Sequence, residues 1–153
     1  MKKLAVISDT HAQRLDELSP TLLSALRGVD LIVHAGDFTQ PRVYADLKKL
    51  AEVKAVRGNM DHFELRNILP ETDVFSIEGR KIGLVHGWGR PWDLALRVKP
   101  FFQDVDIIIY GHSHEAYNEK LDGVLMFNPG SARQSFGIIE IDASSVNSRI
   151  IKI

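Results

Sequence analysis

Two kinds of segment alternate along the first half of the chain. Short unbroken apolar runs, Leu4–Ile7, Leu31–Val33, Val53–Val56, Ile82–Val85 and Ile107–Tyr110, are rich in valine, isoleucine and leucine. That composition suits strands buried on both faces. Helix-like stretches separate the early runs. Ser19 followed by Pro20 supplies a cap and a proline at the first helical position, which predicts a helix over Pro20–Arg27. Pro41 opens a second, to about Leu50, and Pro91 a third, to about Gln103. After Asn59, Asp61 with Glu64 three residues on comes near a capping box and predicts a helix capped by Asp61.

The second half is richer in strands. Asp73–Gly87 reads as a hairpin turning at Glu78-Gly79. Ala116–Leu121, Val124–Asn128, Phe136–Ile141 and Val146–Ile153 follow, punctuated by Gly, Asp and Ser. No internal repeat, low-complexity tract or linker interrupts the series, so one domain over residues 1–153 is expected. Its helix-like segments are too few to cover one sheet of all these strands. An α/β (α+β) arrangement of two packed sheets flanked by helices satisfies the layering better.

Composition narrows the chemistry. With 44% hydrophobic and 25% charged residues and a formal net charge of -1, the chain reads as an ordinary globular domain. That balance gives no electrostatic case for nucleic acid or an anionic membrane as partner. There is no cysteine, which excludes disulfides and thiolate metal sites. Any metal must therefore be held by oxygen and imidazole. Between Lys3 and Ser8 the apolar stretch is too short for a signal-peptide core, and no run approaches membrane length, so the cytoplasm is the expected location.

The informative feature is how each buried run ends. Leu4–Ile7 leads to Asp9-Thr10-His11, Leu31–Val33 to Asp37, Val53–Val56 to Asn59, Ile82–Val85 to His86, and Ile107–Tyr110 to His112-Ser113-His114. The carboxyl ends of strands in α/β folds line one crevice, so these side chains are expected to converge across about a hundred residues of sequence. Asp9 and His11, like His112 and His114, are two apart, and on extended backbone such partners point to one side. Gly36, Gly58, Gly87 and Gly111 border the ligand positions and permit close backbone approach. Taken singly, each residue has a plain reading as a turn or strand-end residue. Jointly they point to a metal centre of imidazole, carboxylate and one amide carbonyl, a set that suits Mn²⁺, Fe or Zn²⁺ better than Ca²⁺. His34, inside its strand, is expected to support a ligand or the backbone.

The ordered set DTH (Asp9–His11), GD (Gly36-Asp37), GN (Gly58-Asn59), HG (His86-Gly87) and GHSH (Gly111–His114), with NPGS at Asn128–Ser131, resembles the calcineurin-like metallophosphoesterases. Within them it is most similar to the small single-domain phosphodiesterases of bacteria and archaea (the YfcE-like group). The resemblance implies a four-layer αββα sandwich of two mixed sheets flanked by helices. It also implies two divalent ions, Mn²⁺ foremost, with Ni²⁺, Co²⁺ or Zn²⁺ as replacements. Asp9, His11 and His114 would hold one ion, Asn59, His86 and His112 the other, and Asp37 would bridge them. A homodimer is suggested by analogy alone. The sequence departs from the wider pattern at Met60, where many members carry a histidine that contacts phosphate or assists the leaving group. Asp61 and His62 are the nearest substitutes, although Asp61 fits better as a cap. Trp88 stands where a further histidine is frequent and is expected to wall the cleft.

In such a centre the expected reaction is in-line attack on phosphorus by a hydroxide bridging two ions about 3.5–4 Å apart, with Asp37, Asn59 and His86 closest to the chemistry. Two divalent ions, offset by Asp9, Asp37 and hydroxide, leave a single positive charge. That matches a small phosphodiester better than a monoester dianion, which would need further cations such as Arg133 or Arg57. Arg133 and Asn59 are accordingly the residues expected to meet substrate. The competing readings are a phosphomonoesterase or nucleotide phosphohydrolase on the same site, and a non-catalytic metal-binding scaffold of the same fold.

Overall fold

The computed structural model describes Met1–Ile153. It contains ten strands: β1 (Lys2–Ile7), β2 (Leu31–His34), β3 (Glu52–Ala55), β4 (Thr72–Ile77), β5 (Arg80–Val85), β6 (Ile107–Ile109), β7 (Tyr117–Leu121), β8 (Val124–Asn128), β9 (Ser135–Ile141) and β10 (Val146–Lys152). Four α-helices accompany them: α1 (Pro20–Arg27), α2 (Pro41–Lys48), α3 (Phe63–Ile68) and α4 (Leu94–Val98). The strands form two five-stranded sheets, ordered β10-β9-β1-β2-β3 and β4-β5-β6-β8-β7. Both are mixed. In the first, β1 runs parallel to β2 and antiparallel to β9, and in the second, β6 runs parallel to both β5 and β8 while β4 and β7 are antiparallel edges.

Alternation along β1 explains why its apolar run is unbroken. Leu4 and Val6 face Ile82, Ile109 and Phe127 of the other sheet, whereas Ala5 and Ile7 face Leu22, Leu26 and Leu47 of α1 and α2. A third cluster packs α4, through Leu94 and Val98, onto Ile108 and Met126 of the second sheet. The layers are thus helix, sheet, sheet, helix, each strand being apolar on whichever face is covered. No helix is long and apolar enough to cross a membrane.

Local signals account for the boundaries. The Ser19 hydroxyl accepts from Leu22 N–H at 3.1 Å, capping α1 as expected. The β4–β5 hairpin turns through Glu78 and Gly79, both at positive φ (50° and 80°), the backbone of a twisted two-residue hairpin. Two expectations need correction. The helix opened by Pro91 begins only at Leu94, because Asp93 takes a left-handed backbone (φ 59°). It then tightens into a 3₁₀ turn at Lys99–Phe101, since Pro100 has no N–H to continue the ladder. The helix after Asn59 is capped by His62, whose Nδ1 accepts from Glu64 N–H at 3.3 Å, and not by Asp61.

Candidate metal centre

The ends of β1, β2 and β5 and the loop after β6 meet at one edge of the sandwich. Five of the side chains expected to converge do so there. Asp9 Oδ1 lies 3.9 Å from His11 Nε2, 3.8 Å from His86 Nε2 and 3.3 Å from His114 Nε2. Asp37 Oδ2 lies 3.2 Å from His86 Nε2 and 3.8 Å from His11 Nε2. Two compact donor sets result, Asp9–His11–His114 and Asp9–Asp37–His86, the ligand atoms of each lying within 4.8 Å of one another.

Three atoms at the centre of this group, Asp9 Oδ1, His11 Nε2 and His86 Nε2, are buried and have no hydrogen-bond partner. An unpartnered buried polar atom costs about 1–3 kcal/mol, more when charged, and native chains rarely leave three in one place. Divalent cations bound at about 2.0–2.2 Å, one in each set, would satisfy all of them, and their ligands would then sit at spacings like these. The donors fit a divalent metal.

The backbone that aims these groups is not the extended one expected from the two-residue spacing. Asp9, His11, Asp37, His112 and His114 all have positive φ, between 44° and 70°. Aspartate and histidine tolerate the left-handed region better than most residues, and such backbone gathers at functional sites. Each pair therefore converges through tight left-handed turns. Gly58 gives Asp37 its room, since a Cβ there would stand 2.7 Å from Asp37 N and 2.8 Å from its Cγ.

Supporting contacts fix the set. Asp9 Oδ2 accepts from the Ser8 hydroxyl at 2.7 Å and from His112 N–H at 3.2 Å, leaving Oδ1 free. His86 Nδ1 donates to the Ala35 carbonyl at 2.7 Å, which turns Nε2 toward Asp37. Burial pushes the His86 imidazole down, but the neighbouring Asp37 and Asp9 carboxylates and the Ala35 carbonyl hold it above its ordinary value. Asp37 behaves in reverse. Burial would raise it, and His86 together with the Met60 N–H brings it below the usual carboxylate range. His34 takes the supporting place expected of it. It is wholly buried, and its Nδ1 accepts from Gly36 N–H at 3.0 Å. Its Nε2 therefore carries the proton and donates to the Thr10 hydroxyl at 3.2 Å.

His112 lies outside the two compact sets of carboxylate and imidazole donors. Asn59 is exposed and lines the adjoining cavity. His112 donates from Nε2 to the Gly89 carbonyl at 2.6 Å, leaving Nδ1 as the ring's lone-pair nitrogen. Arg133 is also otherwise engaged. Its guanidinium donates to the Thr10 and His11 carbonyls at 3.3 and 3.0 Å and pairs with Glu17 at 3.6 Å. Met60 is exposed, and its N–H donates to Asp37 Oδ1 at 2.8 Å.

Two residues bridge loops in a way that the sequence pattern does not show. Buried Asp61 accepts from Asp37 N–H (3.0 Å) and Gly58 N–H (2.7 Å) on Oδ2 and from Thr39 N–H (2.9 Å) on Oδ1, clamping two ligand-bearing loops together. Its position after the glycine–asparagine turn is the available signal, although a carboxylate there fits a helix cap equally well. Asn128 donates to the Gly111 carbonyl and the Ser113 hydroxyl, both at 3.0 Å, and accepts from Gly130 N–H at 2.9 Å. It thereby ties the NPGS turn to the His112–His114 loop.

Comparison with known proteins agrees with this geometry. Residues 1–144 match the family model of the calcineurin-like phosphoesterase superfamily domain. A probable metallophosphoesterase of Methanothermobacter thermautotrophicus is 35% identical over 159 residues, spanning 97% of this chain and 91% of that protein. A phosphodiesterase of Methanocaldococcus jannaschii is 30% identical over 145 residues, spanning 84% of this chain and 82% of the relative. Among solved structures, wild-type Vps29 of Entamoeba histolytica complexed with zinc is similar, with a TM-score of 0.76, 29% identity and 98% of each chain covered.

Proposed function

Because the chain belongs to the calcineurin-like phosphoesterase superfamily, we propose that it is a metal-dependent phosphodiesterase acting on small phosphodiesters. The observation that carries this is the buried, unpartnered trio of Asp9 Oδ1, His11 Nε2 and His86 Nε2 at the meeting point of two carboxylates and three imidazoles. Asp9, His11 and His114 would hold one divalent cation and Asp37 and His86 a second, with His112 and Asn59 available to complete the second set. When bound, such cations lower the pKa of water and polarise phosphoryl oxygens. Mn²⁺ suits the mixed donors.

The protein's own groups do the positioning. Ala35 and Gly89 carbonyls fix the rings of His86 and His112, and the Ser8 hydroxyl fixes the Asp9 carboxylate, so the donors are set before substrate arrives. Asp61 spends both oxygens on backbone N–H groups, and His62 serves as helix cap. Asp61 is thereby committed to the backbone of the two loops.

Charge supports a diester. Arg133 is occupied by the Thr10 and His11 carbonyls and Glu17, and Arg57 donates to the Arg66 and Leu69 carbonyls at 3.2 and 3.1 Å. A monoester dianion would call for cations meeting its extra charge at the donors themselves, and neither of these two guanidiniums is free to do so. The test is hydrolysis of bis(para-nitrophenyl) phosphate beside para-nitrophenyl phosphate, after chelation and with Mn²⁺ restored. Metal-restored cleavage favouring the diester is expected. A monoester preference would make the protein a monoesterase on this site, and Mn²⁺ binding without hydrolysis of either ester would make it a scaffold.

A further inference from the structure

Beside the metal centre lies a cavity of about 350 Å³ whose walls include Arg57, Asn59, Arg66, Glu71, His86 and Trp88. We infer that it holds the nucleoside arm of a phosphodiester, with the base stacked on Trp88 and the phosphate at the His86 end. This rests on the phosphodiesterase reading, and three observations carry it.

The cavity and the donor set share a residue. His86 reaches Asp37 with Nε2 and also lines the cavity, so a phosphate at the donors sends one ester arm straight into that space. The volume lies in the range of small-molecule sites, and a methyl or ethyl arm would leave most of it empty.

Trp88 is built as a platform. Its indole is 41% exposed and belongs to none of the buried clusters. Its carbonyl is gripped by Arg97 from Nε at 3.0 Å and Nη2 at 2.7 Å, and Phe101 supports its ring at 5.5 Å with a 60° tilt. Arg97 also donates to the carbonyls of Arg90 and Trp92, so one guanidinium pins the whole Trp88–Trp92 loop. A solvent-facing indole on an anchored backbone loses little freedom when a flat ring stacks on it, and any base offers such a face.

The charge suits an anionic ligand. Arg57 pairs with Glu71 at 3.8 Å, while Arg66 makes no ion pair, so the walls carry one unbalanced positive charge. A phosphodiester monoanion is drawn in, and a cationic arm is repelled.

The experiment keeps the leaving group constant. The para-nitrophenyl ester of thymidine 5′-monophosphate is compared with ethyl para-nitrophenyl phosphate, both releasing para-nitrophenolate with Mn²⁺ present. We expect a KM about tenfold lower for the nucleoside ester, the size of one stacking contact. Trp88→Ala should bring the ratio of the two KM values close to one, Trp88→Phe should retain part of the preference, and Arg66→Ala should raise KM for both esters. Equal KM values in the unmodified protein, or a ratio unmoved by Trp88→Ala, would overturn the inference.

Binding is read separately, without turnover. In a Trp92→Phe variant Trp88 is the sole tryptophan, and its fluorescence is titrated with thymidine 5′-monophosphate in chelator and in Mn²⁺. Saturable quenching in a protein that hydrolyses neither ester would keep the nucleoside pocket and reject the phosphodiesterase. Hydrolysis of both esters without quenching would do the opposite.

Discussion

Asp9 shows how one side chain is divided between folding and chemistry. Oδ2 is committed to Ser8 and His112, and Oδ1 is left bare among three imidazoles. Asp9→Asn can keep the carbonyl oxygen where Oδ2 stands but removes the charge. Titration calorimetry should show Mn²⁺ affinity falling roughly a hundredfold or more, whereas the melting temperature of the chelated protein should not fall. Affinity within threefold of the unmodified protein would remove Asp9 from the ligand set. At the opposite edge, Asp142 accepts from the N–H and hydroxyl groups of Ser144 and Ser145, which hold its carboxyl down to about 2. A depressed carboxyl pKa gives stability that is complete above its ordinary value and lost as pH falls through the folded one. NMR titration of the Asp142 carboxyl carbon should therefore give a midpoint near 2.

Among the elements, the loops after β2 and β3 carry Asp37 and Asn59, and Asp61 joins them. It removes three N–H groups from competition and thereby fixes the left-handed turn at Asp37. Asp61→Ala leaves those donors without acceptors, and chemical denaturation should report a loss of about 3 kcal/mol. Asp61→Asn, able to accept at only one of its two terminal atoms, should fall between. Activity should drop further than stability predicts, because the Asp37 loop loses its single geometry. If the alanine variant were as stable as the parent, the clamp would have no energetic role.

The centre draws on both sheets: Asp9 and Asp37 follow strands of the first, and His86, His112 and His114 follow strands of the second. Cations shared between them would act as a clasp across the sandwich at its open edge. Binding to the folded chain alone stabilises by about 2.7 kcal/mol at a hundred times the dissociation constant. For a chain of this length that is roughly 8 °C in melting temperature. Calorimetric scans with chelator and with saturating Mn²⁺ should differ by about that much, and Asp9→Asn should abolish the difference. Identical scans for the unmodified protein would argue against a site spanning the two sheets.

The layers and most of the candidate donors are legible along the chain. Short unbroken runs rich in valine and isoleucine suit strands covered on both faces, so two sheets between helices follow from the pattern, and residues at the ends of those runs are expected to share one edge. Asp9, His11, Asp37, His86 and His114 were legible for that reason. Which atoms meet depends on how the loops pack. Left-handed turns at the strand ends, and not extended spacing, aim Asp9 and His11. Asp61 became a clamp because the loop after β2 passes within hydrogen-bonding reach of it, a proximity invisible along the chain. The cavity takes Arg66 from α3 and Trp88 from the loop after β5, so its chemistry exists only once helix and loop are packed together. Periodicity encodes which face of an element is covered. The contacts between loops depend on distances that the fold alone sets.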